Sequence, residues 1–223
     1  MVKNAQLRVE GHAYIWDGVF PDNITSGFTS PAFKGDVESD MPDVLSSVGR
    51  KAGLAHMKQV HGAEVKTISS PGLYVCDGIF TSSPDTALVV RTADCLPLVL
   101  YSDKENIAGV VHMGWRSAVT GILDNIGYDL SSFSCIAGIG LRPCCYRVGE
   151  EFLENERTKA FVVRRNKWCY FNAVEFARKN LMDKGLSDTR FFDAGVCSYC
   201  SDENFHSHRR TGSLDRTLSF ILM

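Results

Sequence analysis

The chain has 223 residues, of which 44% are hydrophobic and 22% charged, a composition that supports a packed core and argues against disorder. Its 24 basic and 26 acidic residues leave a formal charge of −2, so no net positive field is available to hold a nucleic-acid backbone. No apolar run approaches the roughly 18 residues that span a bilayer, and the N-terminal MVKNAQLRVEG lacks the apolar core of a secretory leader. The expectation is a cytoplasmic protein with no membrane and no nucleic-acid partner.

Along the chain, Pro21–Pro42 is the least patterned stretch, with Gly27, Pro31, Gly35 and several Asp, and reads as a loop. Three short apolar runs follow, Ala87–Arg91, Leu96–Tyr101 and Asn106–His112, rich in β-branched residues and bounded by turn signals, which predicts strands. Pro97 has no N–H, so an edge or first-residue position is expected for it. From Arg116 to Leu130, Ala118, Val119, Ile122, Leu123 and Ile126 fall on one face of a helix. Asn172 with Glu175 three residues on, and Gly185 after Leu181, mark the start and stop of a second helix. Thr189–Ala194 and Arg216–Leu222 read as strands. No repeat and no second linker divides the chain. The expected fold is α+β, mixed β-sheets with flanking helices, in one compact domain over 1–223.

Eight cysteines and six histidines matter in a reducing compartment, where thiols are buried, ligating or nucleophilic more often than paired. His61 lies in KQVHG, Cys95 in TADCL and His112 in VHMGWR, each beside a turn at a strand end. Their wide spacing fits no zinc finger, so only the fold can assemble them. Two imidazoles and a thiolate form a catalytic zinc shell with a fourth position left for water. The plainer alternative is two hydrogen-bonded histidines and an inert packed cysteine. Arg116 follows His112 at a predicted helix start, which suits phosphate; a surface salt bridge is the other reading. Arg209 and Arg210 form a second basic pair, in the cleft or on a solvated turn. Asp94 beside Cys95 reads as a carboxylate that orients a ligand or as a turn former. Arg91 reads as orienting the same loop, and Asp77 as serving its own turn. Cys197-Ser-Tyr-Cys200 lacks a second C-x-x-C, and His206 and His208 complete a four-ligand set only at a compact spacing. Cys144-Cys145 reads as packing, since a vicinal disulfide is strained.

The segments KQVHG, TADCLPLVL, VVHMGWR, GIGLRPCCYRVGEE and CSYC…HRR…LSFIL occur in that order. Together, from about Leu54 to the C-terminus, they resemble the laccase-domain family, also called the YfiH-like or polyphenol oxidase family. That resemblance implies purine nucleoside phosphorylase activity with adenosine deamination, acting on purine nucleosides and phosphate. It implies a metal held by His61, Cys95 and His112, zinc or alternatively copper. Two small family positions are Met113 and Ser117 here, larger side chains expected to narrow the site. The family's N-terminal segments are shortened or rewritten around Gly27–Asp36, and Phe205-His-Ser-His-Arg-Arg210 carries histidines where aromatics are commoner. A monomer or small homo-oligomer is expected.

Three other readings share these residues. A copper-dependent phenol oxidase uses the same soft donors, although the trinuclear cluster of blue laccases alone needs more histidines than this chain holds. A metal-free cysteine hydrolase uses Cys95 as nucleophile with His112 or His61 as base. A zinc-stabilised interaction module requires a closed, four-ligand site.

Overall fold

The computed structural model describes residues 3–4 and 6–223. Its strands, in chain order, are β1 (Lys3–Asn4), β2 (Gln6–Glu10), β3 (Ala13–Asp17), β4 (Thr25–Thr29), β5 (Gly53–Lys58), β6 (Val65–Thr67), β7 (Gly72–Val75), β8 (Gly78–Thr81), β9 (Thr86–Thr92), β10 (Leu96–Ser102), β11 (Ile107–Met113), β12 (Phe133–Ala137), β13 (Arg147–Val148), β14 (Val162–Arg165), β15 (Trp168–Phe171), β16 (Phe191–Asp193) and β17 (Thr217–Leu222). The helices are α1 (Val37–Ser47), α2 (Trp115–Thr120), α3 (Glu151–Glu154), α4 (Ala173–Asp183) and α5 (His208–Thr211).

Two seven-stranded sheets carry the fold. The first has the order β1-β16-β12-β10-β11-β8-β6 and the second β2-β3-β4-β17-β9-β5-β7, with a small β13-β15-β14 sheet beside them. Both large sheets are mixed: β10–β11 is antiparallel, while β12–β16 and β5–β9 are parallel. The architecture is α+β, as the clustered strand signals predict.

Alternation along the strands explains how the layers stack. In β9, Leu88 and Val90 face the first sheet's Val99, Val110 and Ile136, and these residues form one buried cluster between the sheets. Ala87 and Val89 point the other way, into a cluster with Met41, Val44 and Leu45 of α1. In β10, Leu96, Leu98 and Leu100 meet Phe176, Ala177 and Leu181 of α4. Each central strand is therefore buried on both faces, which is why these segments read as nearly continuous apolar runs. At about 25 cal/mol per Å² of apolar surface, these three contiguous layers are the main favourable term in stability.

Several elements differ from the sequence reading for identifiable reasons. Pro21–Pro42 is not one loop: it contains β4 and the first turns of α1, which Asp36 caps by accepting from the N–H groups of Glu38 and Ser39. Pro42 is the sixth residue of that helix, past the free first turn, so it leaves Glu38 O without its usual i→i−4 donor. The helix expected to run from Arg116 to Leu130 stops at Thr120, because Gly121 turns left-handed with φ 86°; Ile122, Leu123 and Ile126 stay buried on irregular backbone. Pro97 is the second residue of β10, a central strand. Its carbonyl accepts from Gly138 N–H, so its missing donor faces the same side, just past the end of β12. The predicted strand at Thr189 is a 3-10 turn, Asp188–Arg190, that leads into β16. The Asn172 start is as expected, with its side chain accepting from Glu175 N–H.

Candidate metal centre and cleft

Three strand ends converge. β5 and β9 lie side by side and parallel, so the QVHG and ADC turns leave the second sheet in the same direction. The chain then crosses at Ala93–Cys95 into β10 of the first sheet. The register Leu96↔Met113 and Pro97↔His112 sets Cys95 beside the end of β11. The ligating atoms of His61, Cys95 and His112 all lie within 4.8 Å of one another.

Each residue is held by its own local structure. His61 adopts φ 59° and Asp94 φ 96°, left-handed conformations that are uncommon outside glycine and cluster at functional turns. Gln59 locks the first turn onto β9, donating from its side-chain nitrogen to Arg91 O and accepting from Arg91 N–H. Gly114 sits against the donor set: a Cβ there would come 3.1 Å from Cys95 Sγ and 3.2 Å from His61 Cδ2. The glycine of HMGW therefore keeps that space clear.

Asp77 holds the site together and was assigned only a turn by the sequence reading. Its carboxylate is fully buried. It accepts from His112 Nδ1–H at 2.8 Å, from His61 N–H at 3.0 Å, from Gly62 N–H at 2.7 Å and from Val60 N–H at 3.2 Å. Burial alone would raise its pKa, but the His112 and backbone hydrogen bonds outweigh that and hold it below the usual carboxylate value. With Nδ1–H donated to a carboxylate, His112 keeps Nε2 for a metal. A local C-D-G signal cannot separate this buried acceptor from a turn aspartate, because its donors come from residues 60–62 and 112.

The electrostatics of the bare donor set favour an ionised pair. Burial opposes ionisation of Cys95, yet hydrogen bonds and charge from His112 and His61 bring its thiol down to about 6. Burial likewise disfavours a charged His112, and the hydrogen bonds it donates to Asp77 and Cys95 push it up to about 9. A site that stabilises thiolate and orients two imidazoles fits a soft or borderline divalent ion such as zinc.

Above these residues lies a cleft of about 850 Å³ lined by Arg91, Arg116, Arg209, Arg216, Trp115 and Tyr146, among others. Arg116 is exposed on the short helix α2 and lies 5.3 Å over the Trp115 ring; no carboxylate pairs with it among the described residues. Arg209 borders the cleft with Nη1 donating to Cys145 O and Arg147 O. Arg210 turns elsewhere: its guanidinium donates to the carbonyls of Ser198 and Tyr199, and it is not among the cleft residues. Asp94, the acid of the cleft wall, is already occupied. It accepts from Ser198 Oγ–H, Ser207 Oγ–H and Arg209 N–H, so it anchors the C-terminal segment and not a histidine. Met113 points away into the α4-side core, and does not narrow the site. Ser117 is buried behind Gly114.

Comparison with known proteins fits this geometry. The family model described as multi-copper polyphenol oxidoreductase laccase matches residues 24–223. The chain belongs to this family. The match begins upstream of Leu54, so the divergent N-terminal segment is part of the family domain. Within the family, a purine nucleoside phosphorylase of Xylella fastidiosa is 31% identical over 204 residues, 83% of this chain and 78% of that protein. One of Borreliella burgdorferi is 26% identical over 216 residues, 89% and 92% of the two chains. The crystal structure of a hypothetical protein YfiH from Bacillus licheniformis shares the fold with a TM-score of 0.82 at 19% identity, over 97% of this chain and 98% of that one. No helix among the described residues is long and apolar enough to cross a membrane.

Proposed function

We propose that this chain is a purine nucleoside phosphorylase that uses inorganic phosphate to cleave adenosine or inosine and also deaminates adenosine in the same cleft. The observation that carries the reading is a two-histidine, one-cysteine donor set on the wall of a cleft lined by four arginines. An acidic chain that concentrates guanidinium groups in one cleft is suited to an anionic reactant. The relatives' names, purine nucleoside phosphorylase, support the same chemistry.

In phosphorolysis a phosphate oxygen bonds to C1′ of the sugar as the C1′–N9 bond breaks, and the purine leaves with the bonding electrons and takes up a proton. Arg116 and Arg209 hold the phosphate through charge-assisted hydrogen bonds. The exposed Trp115 ring and the adjacent Tyr146 offer flat apolar surface to a purine. In deamination water replaces the C6 amino group and ammonia leaves. His61, Cys95 and His112 would hold a zinc ion, which would supply Lewis-acid chemistry. Asp77 keeps the proton on His112 Nδ1 and so fixes the orientation of that ligand.

Copper is the second reading, favoured by the description of the matched family model. The same three residues suit one copper ion. The other metal-capable group among the described residues consists of four cysteines, with no histidine set for a multicopper cluster. Chromatography of adenosine and inosine incubated with and without phosphate, in air and without oxygen, separates the readings. Release of free base and pentose phosphate only with phosphate, unaffected by oxygen, supports the phosphorylase. Absence of base release, with oxygen-dependent oxidation of a phenol, contradicts it.

A further inference from the structure

Four of the remaining cysteines come together away from the cleft. Cys144 and Cys145 lie on the turn after Arg142, where Cys145 N–H and Tyr146 N–H both donate to Arg142 O. Cys197 and Cys200 lie on the turn that follows β16. There Ser198 N–H donates to Gly140 O, Ser201 N–H donates to Cys197 O, and Cys197 bridges Gly140 in parallel fashion. All four sulfur atoms lie within 4.8 Å of one another.

We propose that Cys144, Cys145, Cys197 and Cys200 form a second, structural zinc site. Four thiolates at about 2.3 Å from zinc in a tetrahedron stand about 3.8 Å apart along each edge. The Cys144 and Cys200 sulfurs are 3.7 Å apart, far beyond the bonding distance of a disulfide. The donors are all sulfur, which selects zinc or another soft ion over magnesium or calcium. Cys144 and Cys200 are exposed, so the ion has an entry path, and each thiol releases its proton to solvent on binding.

The site ties together the two turns that also hold the arginine pair. Arg209 donates to the carbonyl of Cys145, and Arg210 donates to those of Ser198 and Tyr199, inside the C-x-x-C turn. A zinc ion between the turns thus fixes the segment that presents Arg209 to the cleft. The sequence reading sought partners for Cys197 and Cys200 in His206 and His208. Those rings are engaged elsewhere, His206 Nε2 with Phe33 O and His208 Nδ1 with Ser213 O, and the partners come from 52 or more positions upstream.

The test is zinc and cobalt titration of the reduced full-length chain, read by metal analysis and by the sulfur-to-cobalt charge-transfer spectrum. The wild type is expected to bind two ions. Cys95→Ser is expected to bind one and keep the four-sulfur cobalt signature. The Cys197→Ser, Cys200→Ser double variant is expected to bind one and lose that signature, and Cys144→Ser serves in its place should the double variant not fold. One ion per wild-type chain, removed by Cys95→Ser, overturns the proposal. So does a Cys144–Cys200 disulfide that persists in reducing buffer and blocks the second equivalent.

Discussion

Asp77 receives four hydrogen bonds, three from consecutive backbone N–H groups and one from His112. Asparagine at this position keeps the size but replaces one acceptor oxygen with a donor, which then faces another donor. Asp77→Asn is therefore expected to weaken zinc binding by roughly 10–100-fold and to cost about 1–3 kcal/mol of stability through the unmet buried group. Zinc competition titration and thermal unfolding check both. Gly114 makes a sharper steric case. Gly114→Ala puts a methyl group 3.1 Å from Cys95 Sγ, so metal content should fall while the circular dichroism spectrum is retained. Gly127→Ala meets nothing within 4 Å and is the matched control; equal metal loss in both would remove the steric explanation. His61, Cys95 and His112 were legible as single residues because each sits in a short motif with its turn. Asp77 and the four-cysteine cluster were not, since their meaning depends on partners many positions away that only the sheet register brings near.

The helices show how local signals and tertiary demands divide. For α4, Asn172 and Glu175 specify the start, and the sequence locates it. Asn172→Ala should lower stability by about 0.5–2 kcal/mol without changing metal content at the cleft, because none of His61, Cys95 and His112 belongs to the buried cluster in which α4 packs; denaturant unfolding and metal analysis report the two effects. For α2 the apolar periodicity runs to Ile126, yet one glycine in a left-handed conformation ends the helix after six residues. Burial of Ile122, Leu123 and Ile126 satisfies the same pattern without helical backbone, which is why periodicity overcounts here. Arg116 is the second residue of α2, so its value lies in its guanidinium and not in a helix dipole. Arg116→Ala is expected to slow phosphate-dependent cleavage about tenfold or more while changing adenosine deamination less. Equal losses in the two reactions, measured on one preparation, would assign the arginine to the nucleoside or to the fold.

At the scale of the whole molecule, the site lies where two sheets exchange the chain. The ADC turn is the crossing from β9 to β10, and the layers on either side of it are filled by leucine, valine, isoleucine and phenylalanine. His61, Cys95 and His112 sit at strand ends, outside those layers, so loss of an ion bound by them is expected to leave the sheets intact. The fold class was legible from clustered strand signals, whereas the sheet order was not, because β1 and β16 or β4 and β17 pair across nearly the full chain. Cys95→Ser is the most direct measurement of the central claim, since serine is a harder and far less acidic donor than cysteine. Zinc content, circular dichroism and turnover of adenosine and inosine are measured on the same protein. The expected result is a folded chain that has lost the ion at the His61, Cys95 and His112 site and all nucleoside turnover. A folded Cys95→Ser protein with full activity would contradict the account.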